Sequence, residues 1–233
     1  MIQRTETIDQ RAVDWMPWHW CNLARNPFGE LTREERIDVA VVDVDEIAGR
    51  VVSDHTAVQL MGECGRGKTT RMLVLHRELP DSSYVYLPQD EPCPTIAVGR
   101  PVLIDEAQRL PRRVRKQVFG SRLPLVLATH RDLTRPLRRA GYKVHTQEIG
   151  LANDSSLVCR LMNRRIEASR IDVNRAAPKL TIHDAETLVS RFGSDVRAME
   201  SYLYDVVQSQ VFRTHPKRRC EAEPNHGEMR FID

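Results

Sequence analysis

Nine consecutive residues concentrate the chemistry of this chain: Gly62-Glu63-Cys64-Gly65-Arg66-Gly67-Lys68-Thr69-Thr70. They fit the spacing G-x-x-x-x-G-K-[ST] of a phosphate-binding loop, the Walker A motif. Glycines let the backbone curl so that several N–H groups point inward at phosphates. A helix opening near Lys68 adds its positive end. Lys68 is placed to reach β- and γ-phosphates as a point charge, and the Thr69 hydroxyl to ligate Mg²⁺. All nine residues are therefore expected to line a nucleotide site. Cys64 is read as a permissive position within it, open to alkylation.

A second stretch completes this chemistry. Arg100-Pro101-Val102-Leu103-Ile104-Asp105-Glu106-Ala107-Gln108 is an apolar run ending in two carboxylates, 37 residues after Lys68 (105 − 68 = 37). This is the Walker B arrangement. Asp105 is expected to hold Mg²⁺, through water, and Glu106 to polarise the water that attacks the γ-phosphate. The segment Pro124 to Ala128 is a further buried strand, ending at Thr129-His130. A polar residue there can touch the γ-phosphate or the attacking water; a threonine there can equally be a cap.

The elements that position these groups follow from periodicity. The spacing predicts a strand over 56–61 and a helix over 68–79, with Met72, Leu75 and Leu79 on one face and Pro80 ending it. Tyr84 to Leu87 reads as a second strand. Pro88, Pro92 and Pro94 make 88–100 a loop. Leu110, Val114 and Val118 mark one face of a short helix between Pro111 and Gly120, with arginines on the other face. Pro136 suits the first turn of a short helix within 133–140, and 142–149 reads as a final strand. Residues 33–52 stay ambiguous: a strand from Ile37 to Val44 followed by a short helix, or one longer helix. After Gly150 three helices are expected, one from Asn153 or Asp154 to about Ser169, one capped by Thr181 and stopping at Gly193, and one capped by Ser194.

The sequence divides accordingly into an extension (1–35), an ATPase core (36–150), a helical lid (151–212) and a polar tail (213–233) expected to be disordered. Trp15, Trp18 and Trp20 crowd the extension, and residues this aromatic need burial, so the arm is expected to pack on the core. At 233 residues, 41% hydrophobic and 29% charged, the composition is that of a soluble globular protein. No run approaches the ~18 apolar residues of a membrane helix, and MIQRTETIDQ lacks the apolar core of a signal peptide. The five cysteines form no C-x-x-C pair, which suits a reducing cytoplasm and no zinc site. Net charge is only +3. Yet eleven lysines and arginines lie between Arg109 and Lys143, with Asp132 the sole acid. Such a span suits a solvated face with subunit contacts, or a DNA surface whose charge reversal at Arg112, Arg113 and Arg115 would weaken binding.

Five short strands with helices, then a helical subdomain, resemble the AAA+ ATPases over about residues 36–212. Gly62–Thr69 is similar to the family's Walker A motif and Val102–Glu106 to its Walker B motif. Thr129 and His130 lie where the family keeps sensor 1. Phe192-Gly193-Ser194-Asp195-Val196-Arg197 resembles sensor 2, whose arginine reaches the γ-phosphate. The resemblance implies an α/β P-loop NTPase sheet flanked by helices with a small C-terminal helical lid, and ATP bound with Mg²⁺ between core and lid. It also implies a homo-oligomer in which Arg135, Arg138 or Arg139 serves a neighbour as arginine finger. Asn26-Pro27-Phe28 is similar to the leading segment of the secretion and transposition-helper branch. The short, proline-rich 88–100 departs from the family, where a longer helix with substrate contacts is common, and argues against polypeptide threading. Two functions follow as expectations: ATP hydrolysis that assembles or remodels a macromolecular partner, protein or DNA, or an ATP-controlled DNA-binding helper with weak hydrolysis. The helical lid and the Asp-Glu pair speak against a small-molecule kinase. The absence of an Asn-Lys-x-Asp guanine signal favours adenine.

Overall fold

The structure, a computed structural model, describes residues 18–150, 154–214 and 229–232. They fall into two compact units.

The first unit, residues 31–153 with 194–196, is an α/β fold. In chain order it holds α1 (Arg33–Asp38), α2 (Asp45–Arg50), β1 (Thr56–Met61), α3 (Lys68–Glu78), β2 (Ser83–Tyr86), β3 (Val102–Asp105), α4 (Arg112–Gly120), β4 (Leu125–Thr129), α5 (Thr134–Arg139) and β5 (Lys143–Glu148). The five strands form one parallel sheet in the order β2-β3-β4-β1-β5. β3 and β4 are buried along their whole length, and β1 along all but its last residue. Central strands covered on both faces read as continuous apolar runs for this reason.

Side chains alternate between two cores. Val58, Leu60, Leu103 and Val126 meet Ile47 of α2 and Met72 and Leu75 of α3 on one face. Ala57, Ile104, Leu125 and Leu127 meet Phe119 of α4 and Leu137 of α5 on the other. Handedness explains the division. From β1 the chain crosses over β4 and β3 to reach β2, whereas β3→β4 and β4→β5 run the opposite way. Right-handed crossovers therefore put α3 on one face and α4 and α5 on the other. Neighbouring β1 and β4 thus send their connections to opposite faces, and a crevice opens at their carboxyl ends, where ligands of such sheets bind.

The ambiguous stretch 33–52 is two short helices joined by coil. The Thr32–Glu35 capping box starts α1. The apolar residues of the expected strand, Val42 and Val44 among them, pack on the α3-side core as loop. β2 and β5 already hold both sheet edges.

The second unit contains residues 18–30, 154–193, 197–214 and 229–232. Its helices are α6 (Ser155–Ala168), α7 (Ile182–Phe192) and α8 (Val196–Thr214), of which Asp154 caps α6 and a Thr181–Asp184 capping box starts α7. The N-terminal arm belongs to this unit and not, as its aromatic content suggested, to the sheet core. Polar anchors are the reason. Asn22 Nδ2 donates to the carbonyls of Asp172 (2.9 Å) and Arg175 (2.7 Å), Asn26 Nδ2 to Tyr204 O (3.0 Å), and Arg165 Nε to Pro27 O (2.9 Å). Of the tail expected to be disordered, 215–228 lies outside the described residues, as does Trp15. Met229 and Phe231 are buried, Phe231 edge-on to Phe28.

Candidate active site

The loop after β1 has the backbone that its glycines permit. A Cβ on Gly62 would stand 2.5 Å from Ile149 O, so the close passage of the two segments requires glycine. Gly67 adopts φ +81° and caps α3 without a side-chain acceptor. The first-turn N–H groups of an 11-residue helix therefore open on the loop. Met72 and Leu75, both fully buried, anchor that helix at about 1.5–3 kcal/mol each. Lys68 is 5% exposed. Its Nζ donates to Gly62 O and Glu63 O, each at 2.7 Å, which fixes the ammonium at the loop's mouth. Arg66 braces the outer wall through Gly150 O and Glu63, both at 3.1 Å.

Asp105, at the carboxyl end of β3, is fully buried. It accepts from Glu106 N (3.0 Å) and Tyr84 Oη (3.2 Å). Burial pushes its carboxyl above the ordinary range. The nearby Thr69 hydroxyl opposes that rise, the neighbouring Glu106 charge adds to it, and the Tyr84 bond opposes it again. Tyr84 is itself raised, by burial first and then by the Asp105 charge. His76 stacks on its ring at 5.9 Å, and the Arg33 guanidinium sits 5.2 Å from the ring centre.

Glu106 follows in the left-handed region at φ +60°. A non-glycine residue there stores strain. The turn aims its carboxylate, 12% exposed, at three donors. Oε2 accepts from Gln108 Nε2 (2.6 Å) and is ion-paired with Arg109 (Nη2 at 3.2 Å). Oε1 accepts from His130 Nε2 (3.2 Å). A carboxylate oxygen has two lone pairs, so Oε1 keeps room for one more donor, such as water. His130 Nε2 also lies 3.7 Å from Cys64 Sγ in the loop, and His130 N donates to Gln108 Oε1 (3.3 Å).

The donor set fits Mg²⁺. A hydroxyl and an ionisable carboxylate, close together beside a helix N-terminus, are the hard oxygen ligands that such a cation takes. Thr69 and Asp105 would hold it, and it would neutralise phosphate charge when bound.

The structure brings Lys68, Thr69, Asp105, Glu106, Cys64 and His130 together. Thr129 is fully buried, and its hydroxyl is committed to the following turn, donating to Arg131 O (2.8 Å) and accepting from Arg131 N (3.0 Å). His130 takes the place beside Glu106. Arg135, Arg138 and Arg139 are exposed on α5, and Arg197 is the second residue of α8 in the helical unit. Sequence reasoning missed Tyr84 and the roles of Gln108 and Arg109 as partners of Glu106. Tyr84 carried one signal, a large polar-tipped residue in a strand that must pass beside Asp105.

No protein-family model matches this chain, and no curated protein sequence matches it. Among solved structures, that of Cdc6p from Pyrobaculum aerophilum is similar over 87% of this chain and 67% of that one, at 13% sequence identity and a TM-score of 0.48.

Proposed function

We propose that this protein is a Mg²⁺-dependent ATP hydrolase that uses turnover to assemble or remodel a macromolecular partner. One observation carries the reading: the buried Asp105 carboxylate lies near the hydroxyl of Thr69, in the first turn of the helix that follows the phosphate-binding loop, while the next residue, Glu106, keeps one oxygen open to a further donor. The loop amides and Lys68 bind and orient the β- and γ-phosphates. Bound Mg²⁺ supplies charge neutralisation at those phosphates. Glu106 Oε1 accepts the proton of the attacking water, while Gln108 and Arg109 hold the carboxylate's other oxygen and His130 fixes its orientation. The exposed arginines of α5 suit a finger acting in a neighbouring copy within a homo-oligomer. Arg197 is assigned to the γ-phosphate by the family resemblance.

The test is ATP turnover with binding measured alongside. Lys68→Ala lowers turnover about 10²–10³-fold and weakens nucleotide binding. Glu106→Gln keeps binding and lowers turnover about 10²–10⁴-fold. Normal turnover by Glu106→Gln would remove Glu106 as the base. A wild-type protein that binds no ATP would remove the reading entirely.

A further inference from the structure

The two outer layers of the sheet treat surface charge differently. On the α1–α3 side, exposed arginines meet acids: Arg50 with Glu46 at 2.5 Å and Arg77 with Asp38 at 2.8 Å. On the α4–α5 side the exposed cations are Arg112, Arg113 and Lys116 on α4 and Arg135, Arg138 and Arg139 on α5. Among the described residues none of these six forms an ion pair with a carboxylate. The two helices cover the same sheet face through one apolar core, so their outer surfaces form one layer. The only acid between Arg109 and Lys143 is Asp132, which lies beside Arg135, Arg138 and Arg139 and whose Oδ1 accepts from Gln59 Nε2 and Thr134 N, both at 2.8 Å; one carboxylate stands against six cations.

Like charges at i,i+4, here Arg112 with Lys116 and Arg135 with Arg139, destabilise a helix. Among the described residues no ion pair offsets that repulsion. The aromatic rings of this layer, Phe119 and Tyr142, are buried in its core, so no platform for stacking unpaired bases faces outward. The six side chains are donors only, which suits the acceptor-only oxygens of a phosphate backbone.

From this we infer that the α4–α5 face binds duplex DNA through its phosphate backbone, without base readout. The α5 arginines are shared with the finger role proposed above, but the α4 cations Arg112, Arg113 and Lys116 have no part in it, so binding through α4 and ATP turnover can fail separately.

The test is fluorescence anisotropy of a labelled, arbitrary-sequence duplex DNA with the full chain over a salt series, with and without Mg²⁺ and ATP. The partner variant is Arg112→Gln/Arg113→Gln/Lys116→Gln, checked for unchanged ATP affinity and melting. Wild type is expected to bind with a steep loss of affinity as salt rises. The triple variant is expected to lose at least tenfold in affinity at low salt, and its log–log salt slope to flatten by about 2–3, near 0.9 per lost phosphate contact. Lys68→Ala is expected to retain DNA binding. No binding of duplex DNA at low salt under any nucleotide condition overturns the inference, as does a variant with unchanged affinity and slope. So does preference for single-stranded DNA, for duplex RNA, or for an acidic polypeptide such as polyglutamate, the last of which would make the face a protein contact.

Discussion

Both units bury polar side chains, but they pair them differently. In the helical unit, Asn22, Asn26 and Arg165 bond mainly to backbone carbonyls of distant segments: Asp172, Arg175, Tyr204, Pro27 and Gly29. At the carboxyl ends of β3 and β4, Asp105 and Glu106 pair mainly with other side chains: Tyr84, Gln108, Arg109 and His130. A backbone carbonyl can change partner only if its segment moves, so the first kind of bond fixes a fold. A side chain can turn about its own bonds, so the second kind can hand an oxygen to water or metal while the backbone stays in place. The same kind of bond thus serves as stitching in one unit and, in the function proposed here, as a working site in the other.

That distinction is broken most directly at Asp105. Asp105→Asn should lower hydrolysis about 10²-fold or more, because a cation ligand is lost. It should also raise the melting temperature at neutral pH by about 2–4 °C, the equivalent of about 1 kcal/mol for a chain of this size. The sign follows from linkage. The folded-state pKa of Asp105 is raised by burial, so its stabilising contribution is present below the ordinary carboxylate pKa and lost as pH rises through the raised one. The asparagine does not ionise and escapes that loss, so its advantage should shrink on acidification. Activity and stability falling together would make Asp105 a stitch. The opposite case is Arg165→Met, which removes donors to Pro27 O and Gly29 O and the partner of Glu200. It should cost about 2–4 kcal/mol of stability in thermal or denaturant melts. Glu106→Gln, by contrast, should stay within about 0.5 kcal/mol. An Arg165→Met protein as stable as wild type would place this arginine among the working groups instead.

The same division explains what the sequence disclosed. The loop Gly62–Thr69 and the Asp105-Glu106 pair were legible because their roles need fixed spacing along one segment. The central strands β1, β3 and β4 were legible because burial on both faces makes them nearly continuous apolar runs, as in Leu125-Val126-Leu127-Ala128. Partners brought in from other segments were not. Thr129 looked like the polar residue at the site, yet one residue further on His130 meets Glu106, because the strand's last inward side chain closes the turn. The arm 18–30 looked like a neighbour of the core because tryptophans need burial; its destination was set by Asn22 and Asn26, whose long-range carbonyl partners leave no periodic trace. Gln59 was visible as a polar residue in an apolar strand. Its bonds to Asp132, Thr134, Thr146 and Leu133 N show it holding the β4–α5 turn, a contact set that only the sheet register creates.

The finest test falls on Tyr84, which stands between the two kinds of pairing. Its ring is held by His76 and Arg33 as a structural group would be, while its hydroxyl donates to the working carboxylate. Tyr84→Phe keeps the ring and removes the donor. The hydroxyl that Tyr84 donates favours the ionised form of Asp105 and so lowers its pKa. Its loss should therefore move the acid limb of the hydrolysis profile to higher pH and raise the Mg²⁺ concentration needed for half-maximal rate. Both changes should stay below the Asp105→Asn effect, at about tenfold, which matches the lower end of the ~1.5–3 kcal/mol that a hydrogen bond to a charged group contributes. At saturating Mg²⁺ and alkaline pH the variant should match wild type, because Asp105 is then ionised in both proteins. A purely structural role would instead lower the melting temperature and leave the pH limb and the Mg²⁺ dependence where they were. A shift of the limb to lower pH would show that Tyr84 holds Asp105 in its neutral form, reversing the sense of the contact.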